Sequence, residues 1–341
     1  MMKSEQYIKA WLWSGIVLVA IMVLIGGITR LTGSGLSIVE WKPVSGVVPP
    51  LNQEQWQQEF DLYKQFPQYQ KANLGMTLPE FKQIFFWEYL HRLLGRLIGV
   101  VFMVPFLVFY FKGWFTKKLT YPLLMIFLLG GLQGFMGWYM VKSGLNNIPQ
   151  VSHFRLAAHQ GIALLLIASI FWMVLSIDKE KHAEIKKSLP LFVFSNGAIL
   201  LLALQIVLGS LVAGLKAGFS YTNFPWMGDV IFPPPSIFSA TPILYNGVVL
   251  QFIHRWFAFG VLFSFTGLWY VAKSDPKLST NIKWLVIVTL LQVSLGITTL
   301  LMAVPVALGV LHQFMAIILI MVLLKIIHLQ WYVYPPRAMI N

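Results

Sequence analysis

Eight stretches of mostly apolar residues, each long enough to cross a bilayer, constrain this chain more than any other feature of its sequence. A transmembrane helix needs roughly 20 such residues, because a rise of about 1.5 Å per residue must cover the hydrocarbon core. The stretches run from about Trp11 to Thr29, Ile84 to Phe111, Tyr121 to Val141, and Phe154 to Ile177. The other four run from Leu189 to Ala213, Val248 to Ala272, Trp284 to Met302, and Val306 to Leu329. In lipid each backbone N–H and C=O needs a partner within the protein, and apolar runs of this length supply it as helices. The expected fold class is therefore all-α, an integral membrane protein with eight transmembrane helices. With 57% hydrophobic and 11% charged residues, a soluble domain is excluded.

The net charge of +13 would suggest nucleic acid in a soluble protein. Here the basic residues fall in alternate short loops: Lys112, Lys117 and Lys118; Lys179, Lys181, Lys186 and Lys187; Lys273, Lys277 and Lys283. That pattern predicts no nucleic-acid partner and, by the positive-inside rule, both termini in the cytoplasm. The long loops Arg30 to Gln83 and Gly214 to Gly247 then face outward, either as caps or as ordinary surface loops. Trp331 to Asn341 reads as an interfacial tail. Met1 to Lys9 leads into an apolar run too long for a signal peptide, and no Arg/Ser-rich transit sequence is present, which favours a bacterial inner membrane.

The halves carry the same landmarks in the same order. The first stretch is followed by Gly33-Ser34-Gly35-Leu36-Ser37, and the fifth by Lys216-Ala217-Gly218-Phe219-Ser220. The second carries His91-Arg92, and the sixth His254-Arg255. Leu132-Gln133 and Gly137 in the third match Leu291-Gln292 and Gly296 in the seventh; His159-Gln160 in the fourth matches His312-Gln313 in the eighth. This recurrence marks a duplicated unit. The expectation is two pseudo-symmetric four-helix bundles of parallel topology, residues 1–180 and 181–341.

There are no cysteines, which excludes disulfides, Cys-ligated clusters and thiolate chemistry and leaves histidine as the obvious transition-metal ligand. Four of the seven histidines are repeat-equivalent: His91, His159, His254 and His312. Each lies shortly past an outer entry point, roughly 10 Å below the outer surface. Two imidazoles facing each other in a bundle suit the axial positions of haem iron. Structural zinc, the competing metal, usually takes four ligands in one tetrahedron. Arg92, Arg255 and Arg155 flank these histidines, and guanidinium groups match haem propionates. Arg96 lies deeper and either joins them or snorkels. Gly95, Gly99, Gly134, Gly137, Gly161, Gly260 and Gly296 either admit a flat macrocycle or serve helix packing. His153, His182 and His328 have no repeat partner and read as solvated or interfacial.

The informative difference is Glu88, which stands where the second half has Gln251. Glu88 shares a helix face with His91, three residues on, and a charge near hydrocarbon is a functional candidate by default. A carboxylate there relays protons or stabilises developing positive charge, unless it merely pairs with Arg92. On this reading the first half is reactive and the second holds a resident redox cofactor.

Glu88-Tyr89-Leu90-His91-Arg92, Arg155-Leu156-Ala157-Ala158-His159, Phe252-Ile253-His254-Arg255 and Leu311-His312-Gln313 together resemble the haem A synthase family. So does the stretch from Gly26 to Ser37, and the resemblance covers nearly the whole chain. It implies oxidation of a ring methyl of haem O to the formyl group of haem A, for cytochrome oxidase, through successive hydroxylations. It further implies that His91 and His159 hold haem O, that His254 and His312 hold a haem b cofactor, and that Glu88 is the essential acidic residue. Expected partners are a haem O synthase, an electron acceptor such as a ferredoxin system, and membrane lipid; a homo-oligomer is left open. Lacking cysteines, the chain is similar to the branch of proteobacteria and mitochondria. A non-enzymatic diheme electron carrier resembling cytochrome b is the alternative, and a haem transporter a further one. A haem prenyltransferase is disfavoured, because Asp61, Asp178, Asp229 and Asp275 stand alone.

Overall fold

The computed structural model describes residues 3–42, 45–177 and 188–331. In chain order the helices are α1 (Lys3–Leu31), α2 (Gln53–Lys64), α3 (Pro67–Lys71), α4 (Leu78–Phe111), α5 (Lys117–Gly144) and α6 (His153–Ile177). They continue as α7 (Leu189–Gly214), α8 (Pro235–Ala240), α9 (Gly247–Ala272), α10 (Pro276–Leu301) and α11 (Val306–Trp331). Among the described residues eight helices are long and apolar enough to cross a membrane: α1, α4, α5, α6, α7, α9, α10 and α11. The expectation of an eight-span, all-α membrane protein holds. Apolar side chains such as Val100, Met103 and Val104 on α4, and Met125, Leu128 and Phe135 on α5, stay exposed. Lipid makes such a face favourable, since acyl chains are as apolar as the side chains.

Several helices start well outside their apolar runs, because the start is set by capping rather than hydropathy. Thr77 and Glu80 form a reciprocal capping box ahead of α4, with Pro79 in the first turn. Asp275 accepts from the Lys277 and Leu278 N–H groups ahead of α10.

The chain divides into two compact units: Ser14–Leu166, and Met1–Trp13 together with Ile167–Asn341. In the first unit, Phe102 and Phe106 of α4 stack on Phe127 of α5. The long loop between α1 and α4 folds as a small helical cap on α4. Phe60 and Tyr63 of α2 pack on Phe81 and Phe85 of α4, with Trp56, Tyr69 and Tyr89 around them. Burial pushes the Tyr63 phenol up to about 12, so the hydroxyl stays protonated and donates to Gln68 Oε1 at 3.2 Å. Gln68 in turn donates to the Gly33 carbonyl at 2.6 Å, tying the cap to the end of α1.

In the second unit α7, α9, α10 and α11 close a ring, α7 against α9, α9 against α10, α10 against α11, and α11 against α7. Leu202, Leu250, Phe265, Leu285 and Leu323 are among the residues buried there. The long loop folds through short turns and α8 onto α9, and Asn246 caps α9 while donating to the Ile237 carbonyl. Both long loops are thus caps.

Two of the histidines read as solvated or interfacial are buried within the protein. His328, expected at a solvated end, is only 2% exposed. It lies edge-on to Trp172 with Nε2 3.3 Å from Ser176 Oγ, because α11 packs there against the last turns of α6. His153, expected at the interface, is buried against Phe154 at the start of α6. His182, the lysines between 179 and 187, and the tail beyond Trp331 lie outside the described residues.

Candidate functional site

Each unit brings together one pair of the repeat-equivalent histidines, and each imidazole is seated on a glycine of a neighbouring helix. A Cβ added to Gly26 on α1 would stand 3.2 Å from His91 Nε2, and one on Gly137 of α5 would stand 3.0 Å from His159 Cε1. In the second unit a Cβ on Gly209 of α7 would stand 2.8 Å from His254 Cε1, and one on Gly296 of α10 equally 2.8 Å from His312 Cε1. His91 and His159 fall together in one compact unit, and His254 and His312 in the other.

Glutamines one turn before three of these glycines complete the seats. Gln133 Nε2 lies 3.5 Å from His159 Nε2. Gln205 donates to the His254 carbonyl at 3.0 Å, and Gln292 to the His312 carbonyl at 3.1 Å. Gln205 and the glycines Gly26 and Gly209 were not singled out from the sequence, although Gly26 lies in the motif that carried the resemblance.

Above the histidines, the same clamp is built twice. α1 and α7 end in matched left-handed residues, Gly33 with φ 67° and Lys216 with φ 53°, and the chain turns back over α4 or α9. In the first unit Arg92 Nη2 donates to the Ile38 carbonyl at 2.6 Å and Nη1 to the Glu40 carbonyl at 2.9 Å. In the second, Arg255 Nη2 donates to the Tyr221 carbonyl at 2.6 Å and Nη1 to the Asn223 carbonyl at 2.9 Å. Ile38 and Tyr221 each follow the serine of the repeat, Ser37 or Ser220. Arg255 Nη1 also donates to the Trp226 carbonyl at 3.1 Å.

Within this shared frame the acidic position changes the chemistry. Glu88, 3% exposed, accepts from four donor groups. Ser37 Oγ and the Ile38 N–H donate to Oε2 at 2.7 and 2.8 Å. Arg92 Nη2 and Nε donate to Oε1 at 2.7 and 3.2 Å. Gln251 instead donates to the Tyr221 carbonyl at 3.0 Å. Glu88 thus pairs with Arg92 at i,i+4 and also takes two donors from the turn that follows α1. Arg155 lies over the Tyr139 ring at 3.6 Å and donates to the Tyr139 carbonyl, and Arg96 donates to the Lys42 carbonyl. Of the other glycines, Gly99, Gly134, Gly161 and Gly260 have open space at the Cβ position, and Gly95 faces Met22.

The donor set suits a group that takes two imidazoles. Among the described residues no cluster of three or more His, Cys, Asp or Glu is present, so each unit offers a pair and not a tetrahedron. Buried polar atoms lack partners beside them: His159 Nδ1 and Gln133 Oε1 in the first unit, and His254 Nδ1, His312 Nδ1, Gln251 Oε1 and Arg255 Nε in the second. Buried polar atoms are normally satisfied, and such a set fits a bound group with iron for imidazole and carboxylates for guanidinium. The paired imidazoles of each unit suit a haem iron, and in the second unit Arg255 also leaves an N–H free for a carboxylate.

Residues 9–324 match the family described as cytochrome oxidase assembly protein, COX15-CtaA. The chain is 43% identical over 315 residues to the heme A synthase of Parvibaculum lavamentivorans, covering 91% of this chain and 90% of that protein. It is 44% identical over 330 residues to the heme A synthase of Rickettsia felis, covering 94% and 97%. With that of Nitrosomonas eutropha it shares 42% identity over 329 residues, covering 93% and 92%.

Proposed function

The chain belongs to the COX15-CtaA family of cytochrome oxidase assembly proteins, and from that premise we propose that it acts as a haem A synthase. It is a multi-pass membrane oxidoreductase that converts haem O to haem A by oxidising a ring methyl to a formyl group. The methyl carbon and one water yield the formyl group with loss of four protons and four electrons, by successive hydroxylation. The observation that carries the site assignment is the matched pair of imidazole seats, only one of which has a carboxylate at its clamp.

On this reading the first bundle is the substrate bundle. His91 and His159 would hold the iron of haem O, with Arg92 and Arg155 as the basic side chains for its propionates. His254 and His312 would hold a resident haem b, with Arg255 as the basic side chain for its propionates; that haem, when bound, would supply a one-electron station toward the external acceptor. Glu88, tied to four donor groups, suits stabilisation of positive charge at the carbon being oxidised. Accepting a proton there requires one of these four donors to yield its place or, for the Ser37 hydroxyl, to turn and accept instead. The protein sits in a bacterial inner membrane with both termini in the cytoplasm. A haem O synthase supplies substrate, and a ferredoxin-type system takes the electrons.

Extraction and chromatography of haem from the purified protein, co-expressed with a haem O source, tests this. The expected result is haem B with haem O or haem A. Haem B alone, with no haem A formed in the cells, favours the diheme electron carrier. Glu88→Gln is expected to retain haem O and make no haem A; normal haem A production by that variant removes Glu88 from the mechanism.

A further inference from the structure

The two clamps share their backbone contacts and differ in charge. Arg92 is paired at 2.7 Å with the buried carboxylate of Glu88. Arg255 is itself buried, 9% exposed, and among the described residues it has no carboxylate partner: its contacts are three carbonyl oxygens, and its Nε is unsatisfied. Gln251, 2% exposed, stands in the place of the missing carboxylate with its own Oε1 unsatisfied. A buried cation lacking a counter-ion is costly, and a ligand carboxylate that reaches it relieves the cost. A cation already neutralised offers an incoming carboxylate much less, and its partner repels that carboxylate.

We propose that the Glu88/Gln251 exchange sets how long each unit keeps its haem. Glu88 cancels the charge of Arg92, so the first unit lets its haem leave; Gln251 leaves Arg255 uncancelled, so the second unit retains its haem by the propionates. The inference rests on the assignment of substrate haem to the first unit and cofactor haem to the second. It gives the pair a purpose that either site alone lacks, because a turnover site must release product while a redox cofactor must stay. A buried ionic contact shows chiefly in the dissociation rate.

The test is transfer of haem b from the purified, haem-loaded protein to excess apomyoglobin, followed by absorbance. Gln251→Glu introduces a carboxylate beside Arg255 and is expected to speed haem b loss on the order of tenfold. Gln251→Ala removes the hydrogen bond to the Tyr221 carbonyl without adding charge, and is expected to stay near the parent rate. Arg255→Gln, which removes the cation itself, is expected to lose haem b faster, in the direction of Gln251→Glu. In the first unit, Glu88→Gln is expected to slow release of haem O. Loss from Gln251→Glu at the parent rate overturns the proposal, as does loss from Gln251→Ala as fast as from Gln251→Glu, since loop anchoring would then hold the haem. A parent protein that purifies with no haem b overturns the cofactor assignment itself, which separates that failure from failure of the charge argument.

Discussion

A single methyl group tests the imidazole seats. At Gly209 or Gly296 it would stand 2.8 Å from a histidine carbon, and at Gly26 3.2 Å from His91 Nε2. Carbon atoms rest at about 3.5–4.0 Å, so Gly209→Ala or Gly296→Ala must turn the ring or push the helix. Either variant is expected to shift or abolish the low-spin haem spectrum of the second unit, while Gly26→Ala perturbs the first unit more mildly. Unchanged spectra in all three would mean that the rings do not depend on these glycines. Gly137 and Gly296 were legible from sequence because the repeat pairs them. Gly26 and Gly209 were not, since a contact between helices leaves no fixed spacing in the chain. The same limit applied at Glu88: its pairing with Arg92 follows from an i,i+4 spacing, whereas the Ser37 hydroxyl and the Ile38 N–H arrive from a turn whose path the sequence does not specify.

Elements were read best where lipid dictates them. The spans were legible because a bilayer demands a long apolar run. The outward extension of α4 was not, because the Thr77 and Glu80 capping box lies beyond that run and hydropathy does not measure helicity. The polar part of the first long loop folds as two helices, α2 and α3, broken where Pro67 opens a new helix. The cap they form depends on Phe81, which is fully buried among Phe60, Tyr63 and Phe85. Truncation of a buried Phe costs about 3–5 kcal/mol. Phe81→Ala is therefore expected to raise hydrogen exchange across α2 and α3 while haem b in the second unit is retained. Exchange at the parent rate would show that the cap is held by other contacts.

For the molecule as a whole, two imidazole pairs in two compact units predict two occupancies that can be removed one at a time. His312→Ala is expected to purify without haem b yet still yield haem O on extraction, because His91 and His159 are untouched. Loss of both haems together would mean that the pairs do not act as separate sites. The backbone beneath them is nearly one design used twice, down to the 2.6 Å bond from each arginine to the carbonyl that follows the repeat serine. A gene doubled end to end begins with two identical products, and codons for glutamate and glutamine differ only in their first base. One nucleotide change at the position of Glu88 or Gln251 therefore suffices to exchange a carboxylate for an amide between the two copies.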